Sequence, residues 1–507
     1  MEPTVQTDQA KNPARKLVSR ADLVIISLAY FASQVFFWLS GGWFFADHIG
    51  VLGHFLDPEL LQNRLAESLW YMHVQPPLFN LLTGISLKLF PNDYATAFSV
   101  VFFLLGLGLA WTMYWLMRAM GVYRKLGLAV TILYVFGPAD MIYRNWYFYT
   151  YPVMALLVFA AALLFKYLLT NRRVWGCFFF AVLFVIVMTR SLYHPTWFAI
   201  IAAGMLIILK DQRRRLMAMV LAPALIILLW LGKNHYLFGT FSMSTCLGFS
   251  FNHVTTQLLT VEERDNLIME GKVSSLARIL PVPKIEKCYD YLTEVNVQQH
   301  PAEALKQINK STGSRNWNHI YYIPISQRYL QDCIAVIRYC PAAYLRGIQR
   351  SILVYFYPIR PDFHPHWIAA YPYYHAWTIL GGSIDMPFEP IPVYQSDLSV
   401  VASSVCWMIV ILYILVPAIF ICDWIKKRGF ANWDRVRLIT LGFIGFNIAY
   451  VTAVGILLDC GENNRFRAEI VPLTVIVAAV TLQRLLDGRR RAGVIVTHED
   501  TKRLKRP

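Results

Sequence analysis

Long uncharged stretches alternate with short basic ones along this chain. A polar segment, residues 1–20 with Lys11, Arg15, Lys16 and Arg20, precedes an apolar run from Ala21 to Phe45. Apolar runs of about 18 or more residues predict helices that cross a bilayer. The first run is too long for a signal-peptide core and no small-residue cleavage site closes it, so it is expected to persist as a span. Further spans are expected near 97–117, 126–142, 151–170, 175–190, 194–209, 216–232, 398–421, 438–458 and 468–486. The pattern therefore predicts an all-α polytopic membrane protein of about ten transmembrane helices.

The polar punctuation orients these helices. Arg118/Arg124/Lys125, Lys166/Arg172/Arg173, Lys210/Arg213/Arg214/Arg215 and Lys426/Lys427/Arg428/Arg435/Arg437 lie in short connections. Lys and Arg concentrate in short cytoplasmic loops. About ten spans put all four clusters on one side together with both termini, and that agreement supports the count. Pro77 to Phe90 is apolar enough to be a span, but counting it would carry Arg118, Arg124 and Lys125 to the other side. It is therefore expected as a helix on the membrane surface, with a true span as the alternative.

Five regions follow. They are a basic tail 1–20, a membrane module 21–232 with a first outer loop 46–94, an outer module 233–397, C-terminal spans 398–486 and a basic tail 487–507. The outer module holds Glu262-Glu263-Arg264-Asp265, Pro281-Val282-Pro283 and Ser311-Thr312-Gly313-Ser314. A tract of that length inside a protein is expected to fold, with mixed structure. Tyr344 to Tyr357 is expected as a second surface helix.

Composition sharpens this picture. Of 507 residues, 57% are hydrophobic and only 15% charged, against about 25% charged in soluble domains. A soluble enzyme, a disordered chain and a disulfide scaffold are excluded. The net charge of +16 reads as topology signal and lipid-headgroup contact; no nucleic-acid partner is expected, because no recognition motif accompanies the charge. Eight cysteines make no framework, although Cys288 with Cys333 or Cys340 could pair. Neither CxxC nor HExxH occurs, so a metal site has no sequence support and no cofactor is expected, a divalent metal being the alternative.

Basic residues at outer span ends are the exceptions to explain. They are Arg144, Arg190, Lys233, Arg465 and Arg467. Together they suggest an anionic ligand at the membrane surface, because guanidinium forks match phosphate oxygens; snorkelling to headgroups is the bland alternative for each alone. The first outer loop supplies acids. Asp47 and His48 follow the first span, and Asp57 precedes Pro58 and Glu59. Asp57 reads either as a helix N-cap or as a base at the water–membrane boundary. His73 and Gln75 lie just before Pro76-Pro77, which fixes an extended entry into the surface helix near the same cleft.

The long first outer loop with its acids, the His73/Pro76-Pro77-Leu78 stretch, Thr189-Arg190, Asn234-His235-Tyr236-Leu237-Phe238-Gly239, and Glu462-Asn463-Asn464-Arg465-Phe466-Arg467 resemble the GT-C superfamily of integral-membrane glycosyltransferases. Aminoarabinose transferases and protein O-mannosyltransferases belong to it. The resemblance implies a polyprenyl-phosphate-linked sugar donor, a glycan, lipid or protein acceptor, and a site at the outer face of the membrane. The short tails fit a bacterial inner membrane with the site facing the periplasm, and an endoplasmic reticulum membrane is the alternative. It implies that Asp57, with Asp47 next, acts on the acceptor. The donor phosphate would be held by Arg144, Arg190, Lys233, Arg465 and Arg467, and His73, Gln75 and Glu462 would bind substrate. The alternatives are a glycan polymerase or ligase using a pyrophosphate-linked oligosaccharide, with His319 or Arg315 as candidates, and a lipid or solute transporter.

Overall fold

The computed structural model describes residues 17–291, 302–357, 383–385, 404–426, 434–461 and 463–503. The first helix, α1 (Arg20–Leu39), starts at a capping box in which Ser19 and Asp22 satisfy each other's backbone N–H groups, removing two of the orphan donors of a helix start. Four helices fill the first outer loop: α2 (His48–Val51), α3 (Pro58–Asn63), α4 (Leu65–Trp70) and α5 (Leu78–Leu89). Then come α6 (Tyr94–Ala119), α7 (Arg124–Val135), α8 (Pro138–Arg144), α9 (Thr150–Thr170), α10 (Arg173–Thr189), α11 (Pro195–Ile208) and α12 (Arg213–Phe238). Helices α7 and α8 meet at 55°, where Pro138 has no N–H to continue the ladder. Helix α12 stops at Gly239, whose φ of 68° closes it in the left-handed region.

Among the described residues, six helices are long and apolar enough to cross a membrane, or seven if the bent α7–α8 pair is one span. The chain is thus an α-helical polytopic membrane protein. The expected count of about ten is larger. Helices do occupy the expected positions, but α10 has 17 residues and α11 has 14, about 26 and 21 Å at 1.5 Å per residue. A hydrocarbon core is about 30 Å thick. Helix α5, with 12 residues, reaches only about 18 Å. Helix α9 is the hub, buried on most of its circumference and packed against α6 and α10.

Beyond α12 the chain forms α13 (Leu247–Asn252), α14 (Val261–Met269), α15 (Glu303–Lys306), α16 (Tyr322–Tyr339) and α17 (Pro341–Phe356), joined by 3-10 turns. Over its described residues up to 357 the outer module is helical with no named strand, where mixed structure was expected. The reason is the period of its apolar residues: Tyr322, Ile325, Tyr329, Cys333 and Val336 form one buried stripe on α16, at helical spacing. A three-residue antiparallel pair, β1 (Ser383–Asp385) with β2 (Ser404–Cys406), precedes α18 (Trp407–Lys426). Of the span expected at 398–421, residues 398–403 lie outside the described residues and Trp407 onward is helix. Two helices follow, α19 (Arg435–Leu458) and α20 (Asn463–Arg503), and both pack on α9. Cys288 stays unpaired, as do Cys333 and Cys340; Cys288 lies with Tyr322 and Tyr329 while Cys333 packs in a separate cluster with Val254 and Cys460.

Candidate active site at the outer span ends

Two span ends and one loop build the site. Phe45 donates to the Asn145 carbonyl (2.8 Å) and receives the Tyr147 N–H (2.9 Å), so the end of the first apolar run lies beside the aromatic segment Trp146–Tyr149 that links α8 to α9. Trp146 Nε1 donates to His48 Nδ1 at 2.6 Å. Burial holds His48 down to about 4, with Asp47 opposing and Arg465 adding to the shift.

The aromatic segment stacks against arginine. The Arg465 guanidinium lies 4.6 Å from the Phe148 ring centroid and 5.7 Å from that of Tyr149. Arg190, which caps α10, lies 4.9 Å from Tyr149 and 4.7 Å from Phe466. Both guanidiniums therefore share the Tyr149 ring, a geometry that holds a cation by the ring's quadrupole. Arg190 is ion-paired with buried Glu469, whose other oxygen accepts from Tyr193 Oη at 3.0 Å. Ser191 donates to Gln75 Oε1 at 3.0 Å, which draws the first outer loop to the same span end.

His54 completes the wall. Its ring contacts Phe148, Tyr149 and Trp317 at centroid distances of 5.4–5.9 Å, and its Nδ1 is buried without a hydrogen-bond partner. Burial holds the imidazole neutral, and Arg465, Arg190 and Lys310 push it further in that direction. Gly53 makes the Trp317 contact possible, because a Cβ there would overlap the indole. One neutral ring, three cations and three aromatic faces thus meet where the first outer loop, the outer module and two span ends join. Such a setting suits an anion beside a flat apolar surface.

The remaining expected residues are placed differently. Asp57 is 3% exposed and all its bonding is internal: Oδ1 accepts from Glu59 N (2.8 Å) and Ser311 Oγ (2.7 Å), and Oδ2 from Ser311 N (2.6 Å). It is the N-cap of α3, one of the two roles expected for it, and a clasp to the outer module. Asp47, beside His48, is exposed and makes no capping bond. His73 is also a clasp: Nδ1 meets Thr245 Oγ1 at 2.8 Å and Nε2 meets the Asn318 carbonyl at 3.0 Å, and burial holds its ring down to about 3. Glu462 lies outside the described residues.

The five cations do not converge. Arg190 and Arg465 come together. Arg144 is buried in its own network with Asp140 (3.0 Å), Ser33 (3.1 Å) and the Tyr30 ring (4.4 Å). Lys233 holds the turn before His73 by donating to Trp70 O (2.9 Å) and Met72 O (3.1 Å). Arg467, two residues after Arg465 and so about 200° around the helix, donates to Tyr357 O (2.9 Å) on the opposite face. The alternative candidates are also occupied: Arg315 donates to Val282 O (2.7 Å), and His319 Nδ1 accepts from Tyr321 N (3.2 Å).

Sequence reading missed His54 and Lys310. Lys310 sits in a tight hairpin closed by Gly313 at φ +82° and donates to Leu52 O at 2.6 Å. Its only sequence signal is a lysine inside a Ser/Thr/Gly turn, which ordinarily marks a solvated loop. Burial lowers its ammonium to about 7, with Asp57 opposing. The folded state therefore carries a charging penalty that is full below pH 7 and is relieved as pH rises toward the ordinary lysine value. Thermal stability is expected to rise between pH 7 and 9 by at most about 1.4 kcal/mol per pH unit from this group. Lys310→Met should flatten that rise in a melting series; an unchanged slope would assign the pH dependence elsewhere.

No protein-family model, curated protein or solved structure matches this chain.

Proposed function

We propose that the chain is a glycosyltransferase of GT-C type that moves a sugar from a polyprenyl-phosphate donor to a hydroxyl acceptor at the outer face of the membrane. The observation that carries this reading is the Arg190–Arg465 pair on the Tyr149 ring, with His54 and Lys310 beside it. A sugar on a long lipid must be met at the membrane, since its tail stays in the bilayer. In the transfer, the acceptor oxygen bonds to the anomeric carbon and the carbon–oxygen bond to phosphate breaks. The electron pair stays on the phosphate, and Arg190 and Arg465 stabilise the charge that grows there. Asp47 takes the acceptor proton. The rings of Phe148, Tyr149 and Trp317 give the sugar a flat face. Neither a metal nor another cofactor enters this scheme, and the acceptor is a glycan, a lipid or a protein.

The same reading takes about ten spans, with α10 and α11 crossing as short or tilted helices, both termini cytoplasmic, and the site facing the periplasm of a bacterial inner membrane. With Arg315 and His319 engaged in backbone bonds, no observation favours the polymerase alternative.

Binding of a synthetic polyprenyl-phosphate sugar to the purified protein tests the proposal. Wild type should bind saturably, and Arg465→Ala should weaken binding about 10- to 100-fold, the loss of one charge-assisted hydrogen-bond donor. Equal affinity in the variant would return Arg465 to a packing role, and absence of saturable binding would overturn the donor class.

A further inference from the structure

A groove of about 1130 Å³ lies between α11, α18 and α19, with α9 and α20 behind it. It exceeds the roughly 300–1,000 Å³ of an ordinary small-ligand pocket. Leucine, isoleucine, phenylalanine and glycine line most of it. Gly204 on α11 and Gly442 and Gly445 on α19 face it, and a Cβ added at any of the three meets no atom within 4 Å. In membrane proteins such small residues ordinarily let a neighbouring helix approach; among the described residues none fills this face. Arg435 and Thr452 both line the groove and are 17 residues apart on one helix, about 26 Å. One leaflet with its headgroups measures about 20–22 Å, half of the whole bilayer.

The mouth is basic. Arg435 Nη2 donates to Ile208 O at 2.8 Å and Arg213 Nε to Leu206 O at 3.0 Å. Both carbonyls belong to the last turn of α11, where helix carbonyls lack intrahelical partners. Two guanidiniums are thereby docked side by side, each with most of its five donors left over. Lys210, Arg214 and Arg215 are exposed next to them. Of the nearby acids, Asp211 is exposed, and Asp434 caps α19 and pairs with Arg437 at 3.6 Å.

We propose that this groove seats one anionic phospholipid from the leaflet at the basic end of the bundle, its acyl chains along α19 and its phosphate on Arg435 and Arg213. The inference rests on the membrane-spanning fold and not on the transferase reading. Its length suits one extended lipid, its wall suits hydrocarbon, and its mouth selects for negative charge.

The test uses the full-length protein. Lipid extracted from wild type purified in mild detergent should contain about one equivalent of phospholipid. Protein in nanodiscs should prefer phosphatidylglycerol to phosphatidylcholine. Arg435→Gln combined with Arg213→Gln should reduce that preference about fivefold per arginine while phospholipid is retained. Gly445→Phe fills the groove and should lose the lipid; Gly204→Leu serves the same purpose if that variant does not fold. Three results would overturn the proposal: wild type without bound phospholipid, an arginine double variant with unchanged preference, or a wild-type dimer that Gly445→Phe converts to monomer, which would make the groove a seam between two copies.

Discussion

Asp47→Asn is expected to lower sugar transfer about 10²–10⁴-fold, the usual effect of removing a positioned general base, with thermal stability and donor binding near wild type. Asp47 is exposed, holds no cap and adjoins His48, so its loss disturbs little else. Asp57→Asn should do the reverse. Its carboxylate takes three hydrogen bonds, one from Glu59 and two from Ser311, and an amide can accept them through only one oxygen. A stability loss of about 1–3 kcal/mol follows from leaving a buried donor unmet. Any loss of transfer in Asp57→Asn should track the fraction of folded protein. Full transfer by Asp47→Asn, or a dead but fully stable Asp57→Asn, would return the base to Asp57.

The largest stability effect is expected at Glu469. Its partner Arg190 is 3% exposed and Glu469 itself 0%, so Glu469→Gln leaves a buried guanidinium without its carboxylate. Breaking such a pair from one side costs about 3–5 kcal/mol, to be read as a lowered melting midpoint or loss of monodisperse protein. Replacing both partners with Arg190→Met and Glu469→Leu should restore most of that stability, because an apolar pair has no charge to solvate. The double variant then isolates chemistry from folding. Folded protein without donor binding assigns Arg190 to the phosphate, while folded protein with wild-type binding leaves it a packing role. A Glu469→Gln protein as stable as wild type would contradict the burial of the pair.

How much of this was legible in the chain follows from the range of each interaction. Helix positions were readable, because an apolar run such as Thr150–Thr170 declares itself locally; the spans expected at 175–190 and 194–209 were already short, and α10 and α11 match them to within two residues at each end. The cap at Asp57-Pro58 was readable for the same local reason, whereas its clasp to Ser311 was not, because that partner lies 254 positions away. Arg190 and Arg465 stood out as basic residues at outer span ends. Their neighbours Arg144 and Lys233 stood out equally but answer to Asp140 and to the Trp70 and Met72 carbonyls. His54 carried no local signal, and the turn around Lys310 pointed to a solvated loop. What makes them part of the site is Trp317 and the Lys310–Ser314 turn docking on residues 50–57, contacts between segments more than 250 positions apart.

That separation has a bearing on synthesis. The loop bearing Asp47 and His54 leaves the ribosome early, yet Lys310, Ser311 and Trp317 follow only after α12 and the first part of the outer module. Until then Asp57 has only its own cap bond from Glu59 and His54 lacks the Trp317 face. The nascent chain therefore passes through a long interval in which its early helices are made and the Arg190–Arg465 corner is unassembled. Docking of the Lys310–Ser314 turn then covers this loop, and the corner is complete only when Arg465 follows on the last helix.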